Sequence, residues 1–345
     1  MPIVNDYQQV KETYQEAAEL GVGLPVFCME DRETLEAVLA SVLEYGQEIG
    51  VEDLPIVPAW TVRYPPRGQM TLITACGNPM LGTQLMFSDL EAFMGEHSPY
   101  RKLRVLPHLD HGFPWLDGDV FEHFVDQFAS VMFDASERPF EENVRMTAEY
   151  VDRVRGRVVV EGAVDEIFSE GKDELKNELT TVDQASRFLR ETGVDLIVPN
   201  VGTEHRSTAD QVHYHSDRAR EIRAAVGPIM CLHGTSSVKP EDLPQVPRDG
   251  FVKVNIYTTL AVHGGQAVAR EVLQSLGDIF SETQLKQLIQ DGILGETVLT
   301  STGSKPIKPK LDRVTNPPRR DAWFGAVKRR CNDFLEALNY GTFAR

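Results

Sequence analysis

The chain has 345 residues, with 35 Lys and Arg against 52 Asp and Glu, a formal net charge of −17. Hydrophobic residues make up 41% and charged residues 25%, a soluble composition with enough chain to bury one large core or two smaller ones. The acidic excess argues against nucleic-acid and anionic-membrane partners, and no run approaches the roughly 18 apolar residues of a membrane span. The polar, acidic start MPIVNDYQQVKETYQEAAEL lacks the basic end and apolar stretch of a secretory signal. Cys28, Cys76, Cys231 and Cys331 are scattered, two of them in apolar runs, which suits reduced thiols in a cytoplasmic protein.

Along the chain, short apolar runs alternate with amphipathic stretches. Strands are expected at 23–28, 54–60, 103–109, 129–134, 157–162, 195–200, 228–233 and 251–256, each short and apolar enough to be buried on both faces. Helical periodicity lies between them, in RETLEAVLASVLEYGQEI, FEENVRMTAEYVDRVR, VDQASRFLRET, SDRAREIRAAV and TTLAVHGGQAVAREVLQSL. Asp183 and Ser216 suit cap or first-turn positions. Eight strands, most followed by a helix, predict an α/β protein of the (β/α)8 TIM-barrel class. The rival, a doubly wound sheet, needs a Gly-rich first turn that is missing. A single domain over 1–345 is expected, with the barrel core at about 20–277. The Pro-, Lys- and Thr-rich stretch 278–320 reads as an insertion or arm, and 321–340 as a C-terminal helix.

Chemistry in a barrel sits at the carboxyl ends of the strands. There the sequence places His108, Asp110 and His111, then Asp134, Glu161, Asn200 and His205, then His233, Gly234, Ser236, Asn255 and Thr258. His111, His205 and His233 come from three different strand ends. Three imidazoles with an open position suit a catalytic divalent metal, zinc above all, though cobalt, iron and nickel also accept imidazole. Such a metal polarises a carbonyl and stabilises an enediolate. Asp110, beside His111, is placed to move the proton of a substrate hydroxyl. Gly234, Ser236, Asn255 and Thr258 fall after strands seven and eight, where barrels tend to hold phosphate. His108 is read as a core or supporting group, His213 and His215 as a solvated helix start, and His97, His123 and His263 as ordinary surface or packing residues.

These blocks together resemble the class II, metal-dependent fructose-bisphosphate aldolase family, as a divergent member. The resemblance is carried in order by VLPHLDHG (105–112), SVMFDASERPFEENVRMT (130–147), TGVDLIVPNVGTEHR (192–206), MCLHGTSS (230–237) and FVKVNIYT (251–258). It implies a Zn2+-dependent lyase of carbohydrate metabolism and glycolysis, acting on a small-molecule sugar phosphate such as fructose 1,6-bisphosphate and working as a homodimer or homotetramer. Under it, Asp110 moves the proton of the C4 hydroxyl and His111, His205 and His233 hold the metal. Asp134 and Glu161 match a possible second metal position. Gly234, Ser236, Asn255 and Thr258 contact phosphate, and Thr61 falls where the family has a substrate-contacting Ser.

Departures from the family pattern cluster around the phosphate and the base. Arg206 replaces a phosphate-loop Gly and offers an anion contact. Thr235 and Ser237 replace glycines, Cys28 stands in the early Asn-containing motif, and Ala163 replaces the second Glu of its motif. The loop that carries the base is not in its usual form, leaving Glu166, Glu170 and Glu174 as candidates. The alternatives are therefore an aldolase acting on a different sugar or ketone, a non-catalytic metal-binding homologue, and a barrel isomerase using the same enediolate.

Overall fold

The structure, a computed structural model, describes residues 3–65, 67–166, 179–204, 213–301 and 307–344. Its strands are β1 (Leu24–Cys28), β2 (Pro55–Trp60), β3 (Arg104–Val105), β4 (His108–Gly112), β5 (Ser130–Phe133), β6 (Val159–Ala163), β7 (Leu196–Val198), β8 (Met230–Leu232) and β9 (Phe251–Ile256). They pair in the order β1-β9-β8-β7-β6-β5-β4-β2, and β1 pairs again with β2. Every pairing in this ring is parallel. Eight strands thus close into a (β/α)8 barrel, and β3 runs into β4 along the same edge of β2. Residues of the eight barrel strands are buried throughout, as the unbroken apolar runs require.

The connecting helices have legible ends. Asp31 accepts from the Thr34 N–H at 2.8 Å to start Arg32–Ile49, and Gly50 stops that helix in the left-handed region, with φ 76°. Thr181 and Gln184 form a capping box on Val182–Thr192, with Asp183 as the first-turn acid. Ser216 opens Ser216–Val226. Between β8 and β9 there is no α-helix, only three 3₁₀ turns between Thr235 and Asp249.

The expected third strand, 103–109, is corrected by the structure. β3 and β4 together cover that span and pair with β2 in one register, Ile56 with Val105 and Ala59 with His108, but the strand runs on past Leu109 to Gly112. The strand that enters the barrel is β4, and it carries Asp110 and His111 within it rather than beyond its end.

The C-terminal helix Pro317–Ala337 lies between Arg32–Ile49 and Thr258–Gln274. The Trp323 indole N–H donates to Thr34 Oγ1 at 2.9 Å, and Arg330 Nε donates to Thr259 Oγ1 at 2.9 Å. Within 278–320 stand the helices Glu282–Gln290, Thr297–Ser301 and Leu311–Val314. The segment turns back on its own start, where the Lys308 and Lys310 N–H groups donate to the Gly277 and Asp278 carbonyls. No helix among the described residues is long and apolar enough to cross a membrane.

Candidate active site

Asp110 and His111 are neighbours on one strand, so a regular pleat would point them to opposite faces. The pairing of β4 with β5 slips between Leu109 and Gly112, and His111 has φ 43°. That bulge turns both side chains to the barrel mouth, and a left-handed non-glycine residue is the strained geometry that functional positions tolerate. Both residues are buried.

From β8, His233 meets them. One ligand atom from each of Asp110, His111 and His233 lies within 4.8 Å of the others. His111 Nδ1 stands 2.7 Å from Asp134 Oδ2, and His233 Nε2 stands 3.2 Å from Glu161 Oε1. Burial works against the charge on Asp134, but the hydrogen bond from His111 holds it below its ordinary value. Burial likewise opposes the charge on Glu161, which Lys253 and His233 hold well down. Ionised carboxylates only accept, so each imidazole donates its N–H to its carboxylate. The remaining nitrogens, His111 Nε2 and His233 Nδ1, then face each other as lone pairs at 3.1 Å.

Two facing lone pairs repel unless a cation joins them. Two nitrogens on one tetrahedral zinc stand about 3.3 Å apart, given Zn–N bonds of about 2.0–2.1 Å. Carboxylates behind the ligating histidines are the usual orienting groups of such centres. Burial pulls His111 down, yet Asp110 and Asp134 raise it overall, so without a metal a proton is favoured on its Nε2, in the place a cation would take between the two imidazoles. The donor set fits a divalent metal. His205, expected as the third imidazole, and Arg206 lie outside the described residues, as do Glu170 and Glu174. Asp134 and Glu161, expected as a second metal position, stand here behind the two histidines.

Asp110 is held from two sides. Asn255 Nδ2 donates to its Oδ1 at 2.9 Å and the Cys28 thiol to its Oδ2 at 3.4 Å. Burial opposes the charge of Asp110, but His111 and His233 keep its pKa low. Burial and Asp110 push the Cys28 thiol up, so it stays a donor.

A cleft opens over this cluster, lined by Asp110, His111 and His233. Gly234, Ser236, Asn255, Thr258 and Thr61 all line it. Gly234 has φ 69°, and a Cβ there would fall 2.7 Å from the Glu204 nitrogen, so the loops after β7 and β8 touch at this point. Thr203 Oγ1 donates to the His233 carbonyl at 2.7 Å, and Glu204 N–H donates to Ser237 Oγ at 3.1 Å, stitching them together. Thr235 Oγ1 and Asn255 Oδ1 are buried on the cleft wall without a partner among the described residues. The Thr61 hydroxyl is engaged locally, 2.7 Å from Gln69 Oε1 and 3.1 Å from the Arg67 carbonyl. Glu166 is half-buried and does not line the cleft.

Beneath the cleft runs a buried polar axis. Lys253 Nζ pairs with Glu161 Oε2 and lies 3.2 Å from His108 Nε2. His108 Nδ1 stands 2.8 Å from Ser130 Oγ, which meets Tyr14 OH at 3.1 Å. Burial and Lys253 push His108 down to about 3, so it is neutral, the supporting role expected of it. The sequence reading left Lys253 without a role. Its signal was the alternation Phe251, Lys253, Asn255, which puts a lysine on the inner face of an apolar strand.

The family model described as "Fructose-bisphosphate aldolase class-II" matches residues 8–293. The chain belongs to the class II fructose-bisphosphate aldolase family. As a class II aldolase it is an enzyme of the lyase class. The "Fructose-bisphosphate aldolase" of Staphylococcus epidermidis is 26% identical over 284 residues, covering 81% of this chain and 89% of that one. The "Probable fructose-bisphosphate aldolase" of Bacillus subtilis is 24% identical, covering 86% and 96%. Among solved structures, the fructose-bisphosphate aldolase of Campylobacter jejuni superposes with a TM-score of 0.71 at 17% identity over 98% of this chain and 95% of its own. The YdjI aldolase of Escherichia coli gives 0.63 at 20% identity over 97% and 98%. At those identities the two structures speak for the fold of this class II aldolase alone.

Proposed function

We propose that this class II aldolase is a zinc enzyme that reversibly cleaves a ketose phosphate, with fructose 1,6-bisphosphate as the reference substrate, into dihydroxyacetone phosphate and an aldehyde. The observation that carries the reading is the convergence of His111 Nε2 and His233 Nδ1 beside an ionised Asp110. His111 and His233, with His205 as the third expected ligand, would hold the metal, which supplies Lewis-acid polarisation of the substrate carbonyl.

Asp110 takes the proton of the C4 hydroxyl as the C3–C4 bond breaks and C4 becomes the aldehyde. Asn255 and Cys28 fix both of its oxygens, so the carboxylate arrives oriented. The electron pair of the broken bond moves toward the C2 carbonyl, and a proton returned to C3 completes the ketone. That last proton is assigned to a carboxylate of the loop after β6, with Glu166, Glu170 and Glu174 as the candidates. Gly234, Ser236, Asn255 and Thr258, with Arg206, are proposed to hold the phosphate of the dihydroxyacetone half, and Thr61 to border the substrate. Thr235 and Ser237, standing in place of two glycines, favour a substrate other than the bisphosphate as the second reading. A cytoplasmic homodimer or homotetramer is the proposed assembly.

The test is triose release from fructose 1,6-bisphosphate by zinc-loaded protein. Chelation is expected to abolish it, and Asp110→Ala to lower kcat by about 10²–10⁴ with zinc still bound. Zinc-bound protein that cleaves no ketose phosphate would overturn the reading.

A further inference from the structure

Over β1, β2 and β9, Arg67 and Tyr257 line the rim of the cleft and Glu30 stands against both, a cluster that the cleavage step does not use. Glu30 follows β1, Arg67 lies in the loop after β2, and Tyr257 follows β9. These three strands are neighbours in the barrel. The Tyr257 hydroxyl donates to Glu30 Oε1. Arg67 Nη1 donates to the Tyr257 oxygen at 3.0 Å and reaches Glu30 Oε1 at 3.4 Å. Burial and the Glu30 contact push Tyr257 up to about 12, so it remains a hydroxyl.

Arg67 is the sole Lys or Arg lining the cleft among the described residues, and Glu30 cancels its charge. The rest of the guanidinium and Glu30 Oε2 meet no partner among the described residues, so the cluster offers N–H donors and a carboxylate acceptor side by side. Thr61, whose hydroxyl is engaged with Gln69 and the Arg67 carbonyl, folds the loop that presents Arg67.

A phosphate dianion has no proton for Glu30 and would meet its charge a few ångströms from Arg67. A pair of sugar hydroxyls suits both groups, accepting from Arg67 and donating to Glu30. The phosphate is assigned to the Gly234–Ser236 turn after β8 with Asn255 and Thr258 at the end of β9, while Glu30 and Arg67 follow β1 and β2, on the other side of β9 from β8. We propose that the Glu30–Arg67–Tyr257 rim recognises the uncharged, hydroxyl-bearing end of the substrate, so that this aldolase selects a ketose 1-phosphate over a ketose bisphosphate. The inference rests on the aldolase reading above.

Two polyols that cannot be cleaved separate the questions: a hexitol 1-phosphate and the matching hexitol 1,6-bisphosphate, titrated calorimetrically into zinc-loaded protein. Wild type is expected to bind the monophosphate at least about fivefold tighter, and Glu30→Gln, which leaves Arg67 an uncancelled cation, to shift that ratio about tenfold toward the bisphosphate. Bisphosphate binding as tight as monophosphate binding in wild type overturns the inference. An unchanged ratio in Glu30→Gln does the same, as does failure of both polyols to bind. Wild type alone decides the point if the variant does not fold. Cleavage of fructose 1-phosphate and fructose 1,6-bisphosphate is followed in parallel. If the polyols rank as expected while neither ketose is cleaved, the aldolase reading falls and the rim's preference stands.

Discussion

Asp134 and Glu161 each accept the N–H on the far side of one histidine, which turns the near nitrogens toward each other. Neither carboxylate touches the opposite imidazole in the bonds that define this arrangement. Asp134→Ala frees His111 to rotate and to change tautomer, so zinc affinity should fall about 10–100-fold with the fold intact. Competition against a chromophoric chelator measures it, and unchanged affinity would remove Asp134 from the orienting role. At this scale the sequence was informative about residue type and weak about partnership. Asp110, His111 and His233 were legible because polar residues at the ends of apolar strands are conspicuous. The contact of Cys28 with Asp110 was not, since the two are separated by 82 positions and no local pattern links them.

The slip in β4 is the element on which the site turns. Without it Asp110 or His111 would point into the barrel wall. Gly112 makes the slip possible. A Cβ there would lie 2.4 Å from Phe121 Cζ and 3.0 Å from the Met132 carbonyl. Gly112→Ala should therefore cost about 1–3 kcal/mol by overpacking. Phe121→Ala added to it should cost less than the sum of the two single changes. Urea denaturation of the three variants checks this, and strict additivity would mean that the ring is not what Gly112 makes room for. Strand positions and helix spans were readable from periodicity and caps, as at Asp31 and Gly50. The end of the third barrel strand was not readable, because the apolar run stops at Leu109 while the chain stays in the sheet to Gly112. The left-handed His111 had no local signal, because the pairing with β5 imposes it.

Across the whole molecule, the barrel interior is not a uniform apolar core. Tyr14, from the helix Tyr7–Leu20 outside the strand ring, is joined through Ser130, His108, Lys253 and Glu161 to His233 at the mouth. Lys253→Met leaves Glu161 buried and charged without its cation, so unfolding should lose about 3–5 kcal/mol. Glu161→Gln in the same chain should recover most of it. Equilibrium unfolding decides, and a double variant no better than Lys253→Met would show that the pair is not the source of the loss.

By itself the sequence determined the barrel class, the spans of most strands and helices, and the residue types at the mouth. Those follow from local periodicity, capping and the alternation of apolar runs, which act over a few residues. Only the tertiary structure decided that Asp134 and Glu161 stand behind the histidines, that Thr61 is engaged with its own loop, and that Glu30, Arg67 and Tyr257 meet on one rim. The first and last depend on which strands become neighbours when the sheet closes, and closure joins Glu30 to Tyr257 across 227 positions, where periodicity carries no information. The second depends on how the loop after β2 turns back on Thr61.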